Sequence, residues 1–514
     1  MNLRLTLLTL TIALVCASLP SAVTARKLWE RNWREIKTEH FVIDSALPQS
    51  RSVALATELE HFRYVARLLI THADGDAFEE RIPTQIYVLP STGRLPGLID
   101  RDYAGYFMGQ MRANYAVIRE SGDESDEVLK HEYVHFLTHN YNSLLYPAWF
   151  DEGFAEVLST LTVRNGIIEY GRPMKWRIDT LTYAPWMSFS DLITTHDPGS
   201  LGSGVLPSFY AQSWLLMHYL MLGRDGHTFA AENTDFMRRS EGGEPPLEAF
   251  QSAFDVDPND LQSTLLAYGR KLRYFRSEST FPLPTVSSKI RPLTVDEVAA
   301  ALGLLAPIRG SDEESEEYYA AALEANPKNA NALAGMGDLR KHAKHFDEAE
   351  KLYAQAVAAD PANANHELDW GEYFSQRANR EENEEQRHAL LVEARRHFSR
   401  SYQINPDNPE TLDQNGITYL YQGEEVGKGV TSLEAAYAML PSQPQIQRDL
   451  AYAYMGVGRF RDARAFLTRL LTWENTDNAD AIRKVLDQLP DDDRTSAAPG
   501  EGSQDGKDGS PTEP

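Results

Sequence analysis

The chain has 514 residues, 42% of them hydrophobic, and a formal net charge of -25. That length and apolar share suit two or three domains with real cores, and the acidic excess argues against nucleic acid as a partner. The one cysteine, Cys16, lies in a segment read below as a removed leader, so disulfides, thiolate metal ligands and cysteine catalysis are excluded from the rest.

Residues 1–25 combine Arg4, an apolar run from Leu5 to Leu19 and the small-residue cleavage signal Val23-Thr24-Ala25, the pattern of a secretory signal peptide. The mature chain is therefore expected to be exported, periplasmic or secreted, in a bacterium of the Gram-negative type. No later run approaches the roughly eighteen apolar residues of a membrane span. Val53, Ala56, Leu59, Phe62, Val65 and Leu69 form the apolar stripe of a helix, and Asn114 to Arg119 reads as a strand.

The chemistry is concentrated in His131-Glu132-Tyr133-Val134-His135, an HExxH motif. On a helix, side chains at i and i+4 leave the same face, so both imidazoles can reach one metal ion with Glu132 beside its open position. Asp123, Glu124, Asp126 and Glu127 at the helix start suit its dipole, and Val128, Leu129, Val134 and Phe136 give it an apolar side. Zinc needs a third protein ligand, and Glu152, on a second helix seventeen residues after His135, supplies it. His139 is excluded because eight helical residues rise about 12 Å. Thr138 and Tyr141 stand where a metzincin needs Gly and His.

His131-Glu132-x-x-His135 with Trp149-Phe150-x-Glu152-Gly153-x-Ala155 resembles the gluzincin zinc metallopeptidases, specifically the peptidase-MA-like family DUF1570, over about residues 33–222. The resemblance implies an α+β zincin-like metallopeptidase domain, a mixed sheet with the HExxH helix and a helical lobe, across residues 26–279. It also implies Zn2+ held by His131, His135 and Glu152, and peptide hydrolysis by a zinc-activated water with Glu132 as general base. Glu156, one turn after Glu152, is a candidate to orient a ligand histidine. Tyr210, opening an apolar helix to Leu222, matches a family tyrosine that donates to the developing oxyanion. His218 on that helix reads as core. The resemblance further implies that an extended peptide or unfolded protein substrate lies along the 114–119 strand as an edge. Asn165-Gly166 marks a hairpin from Leu161 to Tyr170.

Residues 280–292, rich in proline, read as a linker. Beyond it, Pro327, Pro361, Pro406 and Pro441 close successive helix pairs. Leu333, Gly337, Ala349, Tyr353, Ala356 and Pro361 fit one tetratricopeptide repeat, and the period gives about five repeats. An all-α solenoid over residues 293–489, with a capping helix near 478–489, is expected to bind a protein partner in its groove. The charged stretch 379–387 stretches the third repeat, and residues 490–514 are expected to be a disordered acidic tail. The general plan resembles periplasmic quality-control metallopeptidases that carry such repeats. The alternatives are a catalytically silent zinc-binding scaffold and a zinc hydrolase with a non-peptide substrate.

Overall fold

The computed structural model describes residues 27–71, 84–90, 95, 97–99, 105–120, 123–141, 146–223, 229–241, 244–279, 282–309, 311–471 and 476–490. The leader expected at 1–25 and the tail expected past residue 490 lie outside the described residues. No helix searched is long and apolar enough to cross a membrane.

The N-terminal half is built on one mixed sheet. Strands β1 (Arg34–Lys37) and β2 (Phe41–Ser45) form a hairpin, followed by helix α1 (Gln49–Thr71) and strands β3 (Thr84–Leu89), β4 (Gly105–Gly109) and β5 (Asn114–Arg119). Helix α2 (Asp123–Tyr141) carries the HExxH residues and α3 (Ala148–Ser159) carries Glu152. The hairpin β6 (Thr162–Arg164) and β7 (Ile167–Tyr170) follows. Its turn is Asn165-Gly166, both at positive φ (52° and 77°), a conformation Asn and Gly tolerate best. A helical lobe comprises α4 (Lys175–Tyr183), α5 (Phe189–Thr194), α6 (Leu206–Leu222), α7 (Ala230–Glu241), α8 (Pro246–Phe254) and α9 (Pro258–Tyr268). Strand β8 (Phe275–Glu278) then joins the β6–β7 hairpin as a small second sheet, and β9 (Lys289–Pro292) returns to the first.

The large sheet has the order β4-β5-β3-β2-β1-β9. Strands β2, β3 and β5 run parallel, and β4, β1 and β9 each run antiparallel to their neighbours. Strand β5, expected at an edge, is paired on both sides, so neither of its backbone edges can take a peptide. The edge is β4, against which α2 packs. The expected linker is also different: its last four residues are β9, in register with β1 from Arg34↔Pro292 to Lys37↔Lys289.

Successive strand side chains alternate between faces, and here both faces are covered. Ile86 and Val88 of β3, with Ala116 and Ile118 of β5, face α1 and α2 in one core. Tyr87, Leu89, Tyr115 and Val117 point the other way and pack with Val298, Leu302, Leu305 and Tyr318 in a second core. Those last four belong to α10 (Val295–Leu305) and α11 (Asp312–Ala325), the first helix pair of the C-terminal half. The two halves therefore share the sheet rather than hang on a linker.

The C-terminal half continues as further pairs: α12 (Ala330–His342) and α13 (Phe346–Ala359), α14 (Ala364–Ala378) and α15 (Glu384–Ile404), α16 (Pro409–Gln422) and α17 (Val426–Met439), α18 (Pro444–Gly456) and α19 (Phe460–Leu470). Helix α20 (Thr476–Gln488) caps them, burying Ile482 against the last pair. Small residues let each pair close: added carbon at Gly303, Gly337, Gly371 or Gly416 would meet Tyr319, Tyr353, Phe398 or Leu433 of the partner helix. The charged insertion divides: 379–383 form the connection after α14, and 384–387 extend α15, which has 21 residues.

Burying a residue such as Leu89 or Val117 is worth roughly 1.5–3 kcal/mol each. Removing residues 293–514 uncovers that whole face. The shortened chain is expected to lose its cooperative thermal transition and to aggregate; a fragment ending at 292 that melts cooperatively at the full-length midpoint would contradict the shared core.

Candidate metal centre

Helix α2 buries Leu129, Tyr133, Val134 and Leu137, and Tyr133 meets Phe41 at 5.2 Å and Phe62 at 6.4 Å between ring centroids. Lys130 is buried and bonds Glu58 of α1 at 2.7 Å, fixing the helix against its neighbour. With that face committed to the core, His131, Glu132 and His135 are left half-buried on the other. The two imidazoles stand nearly perpendicular (81°), and their Nε2 atoms are 3.1 Å apart.

Helix α3 follows Pro147, whose fixed φ suits a helix start, and places Asp151 in the first turn where the dipole favours negative charge. Trp149 is fully buried among Phe150, Phe236 and Phe250 and anchors the helix to the lobe. Gly153 sets how near α3 comes to α6. A Cβ there would collide with the Ser213 carbonyl oxygen and lie 2.9 Å from Met217 Cβ. The glycine that follows the third ligand is thus a packing requirement.

This seating brings Glu152 Oε2 to 3.2 Å from His131 Nε2 and 3.5 Å from His135 Nε2. Among the described residues these three form the group of possible metal ligands, their atoms within 4.8 Å of one another. A tetrahedral ion with ligand bonds near 2.0–2.1 Å separates its ligand atoms by about 3.3 Å. The observed triangle of 3.1, 3.2 and 3.5 Å is of that size. Glu152 Oε2 is moreover buried without a hydrogen bond of acceptable geometry, which a metal ion would relieve. Two imidazoles and a carboxylate are a zinc donor set, so the residues present fit the group.

Each imidazole turns its second nitrogen to a carboxylate. His135 Nδ1 is 3.0 Å from Asp151 Oδ2, and His131 Nδ1 is 3.7 Å from Glu156 Oε1. Glu156 therefore faces a ligand histidine but from beyond hydrogen-bond length. Its firm partner is Arg177 of α4, which holds both its oxygens, one of them by Nε at 3.1 Å. Arg177 also lies over the Tyr210 ring at 5.1 Å. Asp151 and Arg177 were not singled out in the sequence. Asp151 had a signal in standing next to Glu152; Arg177 had none.

The electrostatics suit a cation. Burial pulls the His135 pKa down, but Asp151 and then Glu152 more than reverse this and raise it well above the ordinary histidine value. Burial opposes ionisation of Glu152, yet the close polar approach and charge of both histidines hold its pKa down at about 2. Tyr210 is half-buried on α6; burial first, then the Glu152 and Glu132 carboxylates, push its pKa well up. Its phenol is thus protonated at neutral pH and near both acids. His218, by contrast, is fully buried away from the cluster, bonded at 2.8 Å to the Gly171 carbonyl and at 2.8 Å to the Tyr268 hydroxyl. Burial lowers its pKa to about 4, a neutral core histidine.

The tetratricopeptide-repeat family matches residues 313–367, and the C-terminal half carries these repeats. The match lies within α11 to α14 and does not reach the metal cluster. No curated protein matches the chain. Among solved structures, a tetratricopeptide-repeat protein of Thermus thermophilus is 22% identical, covering 37% of this chain and 97% of its own at a TM-score of 0.32. The pilF protein of Pseudomonas aeruginosa is 18% identical, covering 37% and 84% at a TM-score of 0.32. A repeat protein of Parabacteroides merdae is 14% identical, covering 50% and 85% at 0.30.

Glu152→Ala is expected to reduce zinc from one per chain to trace in elemental analysis of purified protein. Gly153→Ala, which must lift α3 from α6 at a cost of roughly 1–3 kcal/mol, is expected to lower it as well. Full zinc in the Glu152 variant would remove that residue from the ligand set.

Proposed function

We propose that the chain is an exported zinc-dependent metallopeptidase of the gluzincin, DUF1570-like kind, acting on peptide or unfolded protein substrates. The observation that carries this reading is the ligand triangle of 3.1, 3.2 and 3.5 Å between His131, His135 and Glu152, with Glu132 one residue along on the same helix. When bound there, zinc would supply Lewis acidity toward a peptide carbonyl and lower the pKa of a water.

The chain's residues supply the rest. Glu132 accepts the proton of the attacking water and carries it to the departing amine. It is not one of the three close-set ligand atoms, and its carboxylate lies near enough to help raise the Tyr210 pKa. That favours turnover over a purely structural site. Tyr210, protonated, donates a hydrogen bond to the developing oxyanion. Asp151 orients His135; Glu156, held by Arg177, faces His131 from the other side.

An extended substrate has an edge to join. Strand β4 ends the sheet and no described strand pairs with its outer side, so backbone hydrogen bonding along Gly105–Gly109 would lay a peptide beside α2. The leader-like residues 1–25 support export, and the repeats offer a surface for a protein partner.

The test compares wild type with Glu132→Gln on a denatured protein mixture, with products read by mass spectrometry. Wild type is expected to cleave, and the variant to lose roughly 10²–10⁴-fold in rate while keeping its zinc. Zinc in both with cleavage by neither would instead support the catalytically silent scaffold.

A further inference from the structure

The concave face of the repeats is not open along its length. The first helices of successive pairs, α12, α14, α16 and α18, face the sheet, and the turn between β4 and β5, residues 110–113, inserts among them. Met111 packs with Ala436, Leu440 and Ile446. Arg112 enters a cage of carboxylates: Nη1 lies 2.5 Å from Asp369, Nη2 3.1 Å from Glu372, and Glu410 takes Nε at 2.7 Å and Nη2 at 3.1 Å. Asp369 and Glu372 come from α14 and Glu410 from α16, so one guanidinium ties two repeats to the strand next to the metal helix.

The cage offers three carboxylates to one guanidinium. Burial, partly offset by Arg112 and added to by Glu410 and Asp369, pushes Glu372 up to about 8. A cavity of about 720 Å³ lies beside the cage, between the sheet and the repeats, and is lined by six carboxylates and two guanidiniums, Arg291 holding Glu35 and Glu297 and Arg112 holding Asp369 and Glu410. Two buried side chains on that lining carry unsatisfied polar atoms, although Asp44 Oδ2 accepts from Gln85 at 3.0 Å. Asp44 of β2, 8% exposed, has no hydrogen bond at Oδ1, and His366 of α14, 3% exposed, has none at either ring nitrogen. Unmet buried acceptors and donors are costly, and a ligand with donors and positive charge would satisfy them.

We propose that this face is a receptor for an extended polypeptide segment bearing arginine, occupied in cis by the 110–113 turn, and that an arginine-bearing segment of another protein competes with Arg112 there and releases β4. The chemistry is set by the cage, which presents one bidentate and two single carboxylate contacts to a planar guanidinium. A single arginine in trans cannot win, because the tethered Arg112 has an effective concentration on the order of millimolar. The competitor gains its margin in the cavity, from Asp44 Oδ1 and the His366 ring nitrogens, which Arg112 leaves unsatisfied. Displacement would untie the β4–β5 turn from α14 and α16. The site itself does not depend on the metal centre, and its test uses no cleavage.

The probe is a fluorescein-labelled peptide of alternating arginine and glycine, with a citrulline-for-arginine twin, titrated into the full mature chain and into Arg112→Gln. Removing the internal competitor is expected to tighten binding of the arginine peptide at least about tenfold, with the citrulline twin bound by neither protein. Equal affinity for wild type and folded variant, equal binding of the twin, or no binding to the variant would overturn the proposal. Should Arg112→Gln not fold, hydrogen exchange of wild type decides. Exchange across residues 105–119 is expected to rise at saturating arginine peptide, and unchanged protection there would overturn it.

Discussion

Everything in this chain depends on a sheet whose two faces are covered by different halves of the sequence. Strands buried on both sides need two apolar partners. Helices α1 and α2 supply one, and α10 and α11 supply the other. Helix α2, which carries the candidate ligands His131 and His135, therefore sits on strands whose reverse side is held by the first helix pair of the C-terminal half. Strand β9 adds a backbone tie, extending the sheet with residues from just before α10. The repeats are structural partners of the candidate site before they are anything else.

The site inherits its precision from close packing rather than from its own bonds. Gly153 lets α3 lie against the α6 backbone, and Trp149 pins the same helix into the aromatic lobe. Those two contacts set where Glu152 stands relative to the histidines. Around the resulting triangle, Asp151, Glu156 and Glu132 add negative charge that Arg177 and a bound cation would help to balance. Arg177 links this shell to Tyr210, so α4 connects the histidine orienter to the candidate oxyanion donor.

Legibility in the sequence followed the range of each interaction. The i, i+4 histidines and the 34-residue repeat period are local, and both could be read directly. Glu152 was readable because a motif fixes it. The choice between Asp151 and Glu156 as histidine partners depends on the rotation of α3 over α2, which spacing does not encode; both acids turned out to face a ligand, Asp151 more closely. The strand at 114–119 misled as to position. Its unbroken apolar run marks a strand buried on both sides, whereas the true edge, Gly105-Tyr106-Phe107-Met108-Gly109, is short and bounded by glycines. The 280–292 segment read as a linker because β9 is four exposed residues with no alternation to signal pairing. Arg112 carried no signal at all, since its cage is assembled from residues more than 250 positions away.

We propose that His131, His135 and Glu152 hold zinc with one position left open to solvent. X-ray absorption at the zinc edge of the purified mature protein reads that coordination shell. Two imidazole nitrogens and two oxygens at about 2.0–2.1 Å are expected, one oxygen belonging to Glu152 and one exchangeable. A zinc shell of four protein ligands, or a purified chain that binds no zinc, would contradict it.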